Sequence, residues 1–215
     1  MIPLKDNIPS RSFPFITLIL LLANVAVYFY QLTLGYAEDS FIWKYGAVAH
    51  SITTLEPVNP ASTLFPWFTL LTAQFVHGSI WHLGGNMLFL WIFGDNVEDR
   101  LGHFHFLAFF LVCGVLSIIA QVIVNPDSAV PLIGASGAIA GVMGAYMVRF
   151  PRARILVYFY FTAVWAPALI FLGLWFIFQL IVAAPSLNQS GGVAYFAHVG
   201  GFVVGMILFK LMEKS

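Results

Sequence analysis

The stretch PLIGASGAIAG, residues 131 to 141, sets one hydroxyl group, that of Ser136, in a run of glycines and alanines between long apolar segments. Small residues of this kind let two membrane helices approach closely. The whole chain supports a membrane setting, because 60% of its 215 residues are hydrophobic and 8% are charged, whereas a soluble domain carries about 25% charged residues. Lipid is therefore the expected solvent, and Ser136 is either a packing residue or a nucleophile.

Six apolar segments extend outward from this stretch in both directions along the chain. They cover about residues 13–30, 79–93, 104–124, 136–150, 163–183 and 193–211. Residues 31–77 form a long first loop whose aromatic, amphipathic last part is typical of a segment at the membrane interface. The predicted fold class is all-α: residues 1–215 form a single domain, a polytopic membrane bundle of six transmembrane helices.

The basic residues are distributed unevenly between the two sides of such a bundle. With the N-terminus inside, eight of the nine lysines and arginines lie on the inner side and only Lys44 lies outside. Cytoplasmic loops carry this excess in membrane proteins. The sequence therefore predicts a multi-pass protein of the cell membrane with both termini in the cytoplasm. The formal net charge of zero argues against nucleic acid as a partner.

Four polar residues fall at similar depths, near the outer ends of three predicted spans. His82 and Asn86 lie four residues apart on one face of the second span, Ser136 begins the fourth, and His198 is in the first turns of the sixth. Polar groups within a membrane are costly unless they pair. We expect them to face one another around a small hydrated cavity.

Serine and histidine together supply a nucleophile and a general base. The N–H groups and dipole at the start of the fourth span would favour an oxyanion beside Ser136, and Asn86 and His82 can donate to it. None of the nine acidic residues lies in the outer half of a span, so the prediction is a Ser136–His198 dyad rather than a triad. No metal site or cofactor is expected, because no set of metal-ligating residues recurs at a suitable spacing.

Two pairs of glycines at small-xxx-small spacing explain how the dyad partners can meet. Gly137 and Gly141 follow Ser136 on the fourth span, and Gly201 and Gly205 follow His198 on the sixth. Close packing of these two helices would bring the hydroxyl to the imidazole. The packing and catalytic interpretations of the opening stretch are therefore compatible.

Several motifs resemble those of the rhomboid intramembrane serine proteases. GASG at residues 134–137 resembles their GxSG motif, AHVGGFVVG at 197–205 their AHxxGxxxG motif, and HGSIWHLGGN at 77–86 their second-span pattern. EDRLG at 98–102 resembles the turn that follows that helix. The motifs occur in family order over most of the chain, which makes the resemblance specific.

The resemblance implies a six-helix membrane protease, with a catalytic core at about residues 66–205, that cleaves transmembrane protein substrates near the outer face of the lipid bilayer. By motif position Ser136 would be the nucleophile and His198 the base, while Asn86, His82 and the Ser136 N–H would hold the oxyanion. Two positions depart from the family pattern. Thr69 stands where many members have a loop arginine, and Ala140 where some have a tyrosine against the catalytic histidine, so the group that orients His198 is not evident.

Two other functions are compatible with a small membrane bundle. A catalytically inactive rhomboid-like protein would bind transmembrane segments without cleaving them, and a small transporter or channel would conduct a solute. Transporters often have inverted repeats or charges at the bilayer midplane, and neither feature is present in the sequence. The sequence does not indicate an oligomeric state or a particular substrate.

Overall fold

The computed structural model describes residues 1–186 and 193–213. Within this part of the chain the structure is mostly helical. Its α-helices are α1 (Phe15–Thr33), α2 (Glu38–Tyr45), α3 (Ala49–Thr54), α4 (Pro66–Thr72), α5 (Ile80–Leu101), α6 (His103–Val124), α7 (Ser136–Arg149), α8 (Ala168–Ser186) and α9 (Tyr195–Met212). Short 3-10 turns lie within the first loop at Gly35–Ala37 and Ala73–Phe75.

Three helices of the described chain, α1, α6 and α9, combine a length of at least 18 residues with the apolar composition that a membrane crossing requires. The part of α8 from Ala168 to Ala183 is also apolar but is shorter than 18 residues. The exposed side chains of these helices include many large apolar groups, such as Leu22 and Ile181, which suits contact with lipid tails. The architecture is that of a membrane helical bundle.

The long helices alternate in direction, and their end contacts define two ends of the bundle. At one end Arg149 of α7 forms a salt bridge with Glu213, just after α9, with 2.7 Å between Nε and Oε1. At the other end Ser136 of α7 contacts His198 of α9, so these two helices run parallel. We call the end that holds Ser136 the serine end, and the end that holds Glu213 the termini end.

Within residues 1–186 and 193–213, five short strands depart from the all-α prediction. They are β1 (Ile2–Asp6), β2 (Ala47–Val48), β3 (Pro131–Leu132), β4 (Arg154–Phe159) and β5 (Thr162–Pro167). Strands β4 and β5 form an antiparallel hairpin, and β1 pairs with the free edge of β4, which gives the order β1-β4-β5. Strands β2 and β3 form a separate two-stranded sheet. The larger sheet lies at the termini end of the bundle and brings the N-terminus beside the connection between α7 and α8.

The fifth predicted span began too early, because residues 163–167 belong to β5 and α8 begins at Ala168. A short apolar run does not distinguish strand from helix by its periodicity, and pairing with β4 decides in favour of a strand. The helical conformation is also disfavoured at a residue that precedes a proline, and Ala166 precedes Pro167. The Ala168 N–H then donates to the Ala153 carbonyl over 2.7 Å, which anchors the start of α8.

The second predicted span ended too early, because α5 continues past Gly94 to Leu101. Its last two turns carry acidic groups that find partners near the N-terminus. Glu98, which is 1% exposed, accepts hydrogen bonds from the N–H groups of Ile16 and Thr17 over 2.9 and 2.8 Å. The carboxylate thus caps α1, where a negative charge also suits the helix dipole. Helix α5 ends at Gly102, whose φ of 78° favours glycine.

The larger of two apolar clusters in the described residues lies between α1, α5, α6, α7, α8 and α9 and reaches the sheet through Ile155 and Val157. Its centre is α7, in which every residue from Gly137 to Tyr146 is buried. A helix that is buried on all sides must be formed of small and apolar residues, and α7 meets this requirement. The helix that begins at Ser136 is therefore surrounded by the rest of the bundle.

Candidate active site

Ser136 is the first residue of α7 and follows an irregular segment that reaches into the bundle. Gly134 has a φ of 112°, a backbone conformation that side chains disfavour. Its N–H donates to the Ala73 carbonyl over 2.8 Å, and the residues just before it pair with β2. The segment is therefore held by the first loop, and the helix begins with Ser136 half-buried at the serine end.

His198 lies in the first turn of α9, next to Ser136. The His198 Nε2 and Ser136 Oγ atoms are 2.8 Å apart, which is a hydrogen-bond distance. The two residues are 62 positions apart in the chain and come together only because α7 and α9 lie side by side. A hydroxyl and an imidazole in this arrangement can exchange a proton.

The glycines of α7 and α9 allow this close approach. A Cβ atom on Gly201 would lie 2.1 Å from the Gly137 carbonyl oxygen, and one on Gly205 would lie 2.0 Å from that of Gly141. On the other face of α7, a Cβ on Gly137 would lie 2.0 Å from Ser117 Oγ. At Gly201 and Gly205 the two backbones are so close that any side chain would force α7 and α9 apart.

Asn86 lies in the second turn of α5, is 8% exposed, and faces the same region. Its Nδ2 atom is 2.9 Å from His77 Nε2. Because an amide nitrogen only donates, the imidazole nitrogen accepts this bond, and His77 Nδ1 can then donate to the Phe75 carbonyl at 3.3 Å. One of the two amide hydrogens of Asn86 is therefore occupied, and among the residues that the structure describes the other has no hydrogen-bond acceptor.

His82 packs over the irregular segment before Ser136. A Cβ on Gly134 would lie 2.6 Å from His82 Cε1, so only glycine leaves space for the ring. The first turn of α5 is fixed by Ser79, whose hydroxyl accepts the His82 N–H over 3.1 Å. The His82 ring therefore lies beside the N-terminus of α7.

A cavity of about 650 Å³ joins these groups at the serine end. Its polar lining is formed by side chains from five helices and one loop: His82, Asn86, Gln121, Asn125, Ser128, Ser136, Gln179 and His198. Such a volume is in the range of sites for small molecules or extended peptide segments. Residues 187–192, most of the connection between the fifth and sixth predicted spans, lie outside the described residues.

Two side chains of α8 contact His198, and the contact of Gln179 is on the side of the ring away from Ser136. Gln179 is 6% exposed, and its Oε1 atom is 2.8 Å from His198 Nδ1. The ring centroids of Trp175 and His198 are 6.0 Å apart. Sequence reasoning did not identify this pair as part of the site, although a glutamine in an apolar helix is a signal of a buried polar partner.

The two positions that depart from the family pattern have local roles. Thr69 is buried in α4, and its hydroxyl donates to the Pro66 carbonyl over 2.5 Å. Ala140 is fully buried in α7, and the aromatic contacts to His198 come instead from Trp175 and Tyr195. Within residues 1–186 and 193–213, no group of three or more histidine, cysteine or acidic side chains is arranged to hold a metal ion.

The model of the rhomboid domain family matches residues 65–214, about the range that contains the cavity and all four polar residues. The chain belongs to the rhomboid family. A curated relative, Rhomboid protein 1, mitochondrial, of Saccharomyces cerevisiae, is 32% identical over 158 residues, which are 68% of this chain and 43% of the relative.

Other rhomboid relatives come from mammals and bacteria. The human Presenilin-associated rhomboid-like protein, mitochondrial, is 28% identical over 77% of this chain and 43% of its own length. Rhomboid protease GluP of Bacillus subtilis is 33% identical over 65% of this chain and 25% of its own length. This chain thus spans less than half the length of these curated rhomboid relatives.

Proposed function

We propose that this rhomboid is an intramembrane serine endopeptidase that cleaves transmembrane protein substrates through a Ser136–His198 dyad. The observation that carries the proposal is the 2.8 Å contact between His198 Nε2 and Ser136 Oγ in a polar cavity. The rhomboid family includes intramembrane proteases as well as inactive members, and one bacterial relative is named a protease. An intact serine–histidine contact favours the active class.

The proposed reaction begins when Ser136 Oγ attacks the carbonyl carbon of the scissile peptide bond while His198 Nε2 takes the serine proton. The carbonyl oxygen becomes an oxyanion that accepts hydrogen bonds from the Ser136 N–H at the start of α7, from the second hydrogen of the Asn86 amide, and from His82. When the intermediate collapses, the carbon–nitrogen bond breaks and the imidazolium gives its proton to the leaving amine. Water then enters and hydrolyses the acyl-enzyme by the same proton path.

The location of the site supports cleavage near one membrane surface. Helix α7 has 14 residues, which span about 21 Å, whereas the hydrocarbon core is about 30 Å thick. We infer six membrane crossings, with the short α7 inside the bundle and both termini in the cytoplasm, in accord with the distribution of basic residues. The serine end then opens to the outer face of the cell membrane, where water is available.

The test uses the purified chain in detergent with a fluorogenic transmembrane peptide and a fluorophosphonate probe. The wild type should cleave the peptide and become labelled, and Ser136→Ala and His198→Ala should each abolish both signals while unfolding at a similar temperature. Ser62→Ala is a matched control, because its hydroxyl bonds the Trp43 carbonyl far from the cavity. An unlabelled wild type that binds the peptide without cleaving it would favour the inactive alternative.

A further inference from the structure

The general-base role of His198 depends on which ring nitrogen carries its proton. A neutral imidazole has one N–H group and one free lone pair. For Nε2 to accept the proton of Ser136, the hydrogen must be on Nδ1. Some group on the Nδ1 side must therefore accept a hydrogen bond, or both tautomers will be populated and only part of the enzyme will be competent.

Gln179 meets this requirement in the structure. Its amide oxygen is 2.8 Å from His198 Nδ1, on the side of the ring opposite to Ser136. Trp175, one turn earlier on α8, lies against the ring and against Phe202 of α9. The imidazole is thus held by a hydrogen bond at its edge and by an aromatic ring at its face.

Among the described residues, no acidic side chain takes the position of the acceptor beside His198 Nδ1. None of the side chains that line the cavity is acidic, and the carboxylates of Asp95, Glu98 and Asp99 bond groups at the termini end. A carboxylate within a membrane bundle is costly, whereas a neutral amide offers the same acceptor geometry at a smaller desolvation cost. An amide is therefore a physically reasonable choice for this position.

We propose that Gln179 is the positioning residue of this site, which fixes the tautomer and orientation of His198 by accepting a hydrogen bond from Nδ1–H. This inference rests on the proposed protease function. In acylation the Ser136 proton moves to Nε2 and then to the leaving amine, and in deacylation a proton of the attacking water moves to Nε2 and then to Ser136 Oγ. The Nδ1 hydrogen stays on His198 throughout, and Gln179 neither gains nor loses a proton.

The arrangement has a consequence for how the site is assembled. Ser136 is on α7, His198 is on α9, and the group that orients His198 is on α8. A competent dyad therefore requires α8 to be docked against α9, and not only the glycine-mediated packing of α7 on α9. Variants that weaken the α8 contact should lower turnover without changing the distance between α7 and α9.

The experiment compares Gln179→Met, which keeps the length and removes the acceptor, with Gln179→Glu, which restores an acceptor at the same position. Ile177→Met is the control on α8, because Ile177 is 51% exposed on another face. Gln179→Met should lower kcat by about 10- to 100-fold, a part of the 10²–10⁴ that general-base catalysis contributes. Its KM should change less than about threefold, because the amide does not hold the substrate.

Two further readouts separate positioning from a merely structural role. Fluorophosphonate labelling of Ser136 should slow in Gln179→Met and recover at least partly in Gln179→Glu, and a cooperative thermal unfolding transition should show that both variants are folded. Nitrogen-15 spectra of histidine-labelled protein, with His198 assigned from the His198→Ala spectrum, should show an Nδ1–H tautomer in the wild type and a mixture in Gln179→Met.

The assignment would be overturned if Gln179→Met had the kcat of the wild type or changed only in KM. It would also be overturned if His198 of the wild type carried its hydrogen on Nε2. Turnover that survives in Ser136→Ala would instead reject the proposed function itself. The two failures are therefore distinguishable, because one is read in the glutamine variants and the other in the serine variant.

Discussion

At the residue scale, Asn86 combines a structural hydrogen bond with the proposed role of an oxyanion donor. One of its hydrogens goes to His77, which is fully buried, and this bond joins the first loop to α5. The same bond prevents the amide from rotating, so its second hydrogen points in a constant direction. Preorganisation of this kind makes a donor effective toward an oxyanion.

Asn86→Ala should therefore reduce turnover more than substrate binding. Removal of one oxyanion donor lowers kcat by about 10²–10³-fold in a soluble protease, and we expect a loss of that order with little change in KM. The measurement is steady-state cleavage of a transmembrane peptide, with a thermal unfolding curve to account for the lost bond to His77. A defect confined to KM would argue that Asn86 holds the substrate and not the oxyanion.

His82→Ala should have a weaker effect on kcat than Asn86→Ala under the same conditions. The N–H groups at the start of α7 remain in place and can compensate for one lost side-chain donor. The two variants can be compared in a single series of kcat values. A larger loss in His82→Ala than in Asn86→Ala would reverse the proposed ranking of the donors.

At the element scale, the contact between α7 and α9 decides whether the dyad exists. The backbones approach so closely at Gly201 and Gly205 that even a methyl group meets a carbonyl oxygen of α7. Dispersion contacts and small-residue packing are the main sources of helix association in lipid. The proposed activity should therefore be as sensitive to these glycines as to Ser136 and His198.

Gly205→Val should inactivate the enzyme although Gly205 is about two turns from His198 on α9. The added side chain would separate α9 from α7 and lengthen the contact between His198 and Ser136. Fluorophosphonate labelling of the folded protein measures the result, and Ile207→Val, at a position that is 57% exposed, is the control. Full labelling of Gly205→Val would show that the glycines do not set the distance within the dyad.

At the scale of the whole molecule, the N-terminus is attached to the termini end of the bundle by a long-range contact. The Tyr146 hydroxyl of α7 donates a hydrogen bond to the Asp6 carboxyl of β1. Burial, opposed by this bond and assisted by the nearby charge of Asp95, raises the pKa of Asp6 to about 6 from its usual value of 3.8. The folded chain therefore binds a proton at Asp6 more tightly than the unfolded chain does.

The sign of the pH effect follows from this raised pKa. The stabilising contribution of Asp6 is complete below its unfolded pKa and is lost as the pH rises through about 6. The wild type should gain unfolding temperature between about pH 7.5 and about pH 5 relative to Asp6→Asn, which does not titrate. Thermal unfolding of both proteins at the two pH values measures this difference, and an equal response would contradict the role of Asp6.

The proposed orientation is tested by cysteines at the two ends of α7. After replacement of the buried Cys113, a membrane-impermeant thiol reagent should reach Ser136→Cys from the outer face. Arg152→Cys, which follows α7 at the termini end, should react only from the cytoplasmic face. Reaction of position 136 from the cytoplasm would reverse the proposed topology and remove the basis for cleavage near the outer surface.

The amino-acid sequence by itself determined the membrane class, the approximate helix positions and the residues that gather at the serine end. These properties depend on composition and on spacings within single helices, such as the four-position spacing of His82 and Asn86. The backbone N–H and C=O groups of a hydrophobic segment in lipid must form hydrogen bonds within that segment. Such segments therefore form helices. The site residues were evident for the same reason, since polar groups are rare in these segments.

Only the tertiary structure decided the features that depend on segments far apart in the chain. Strand β1 exists because it pairs with β4, about 150 residues later, and α5 continues to Leu101 because its carboxylates find partners near the N-terminus. Gln179 reaches His198 because α8 docks on α9 with the amide and the imidazole at one level. Local periodicity carries no information on such pairings, because their free energy arises only when both partners are brought together.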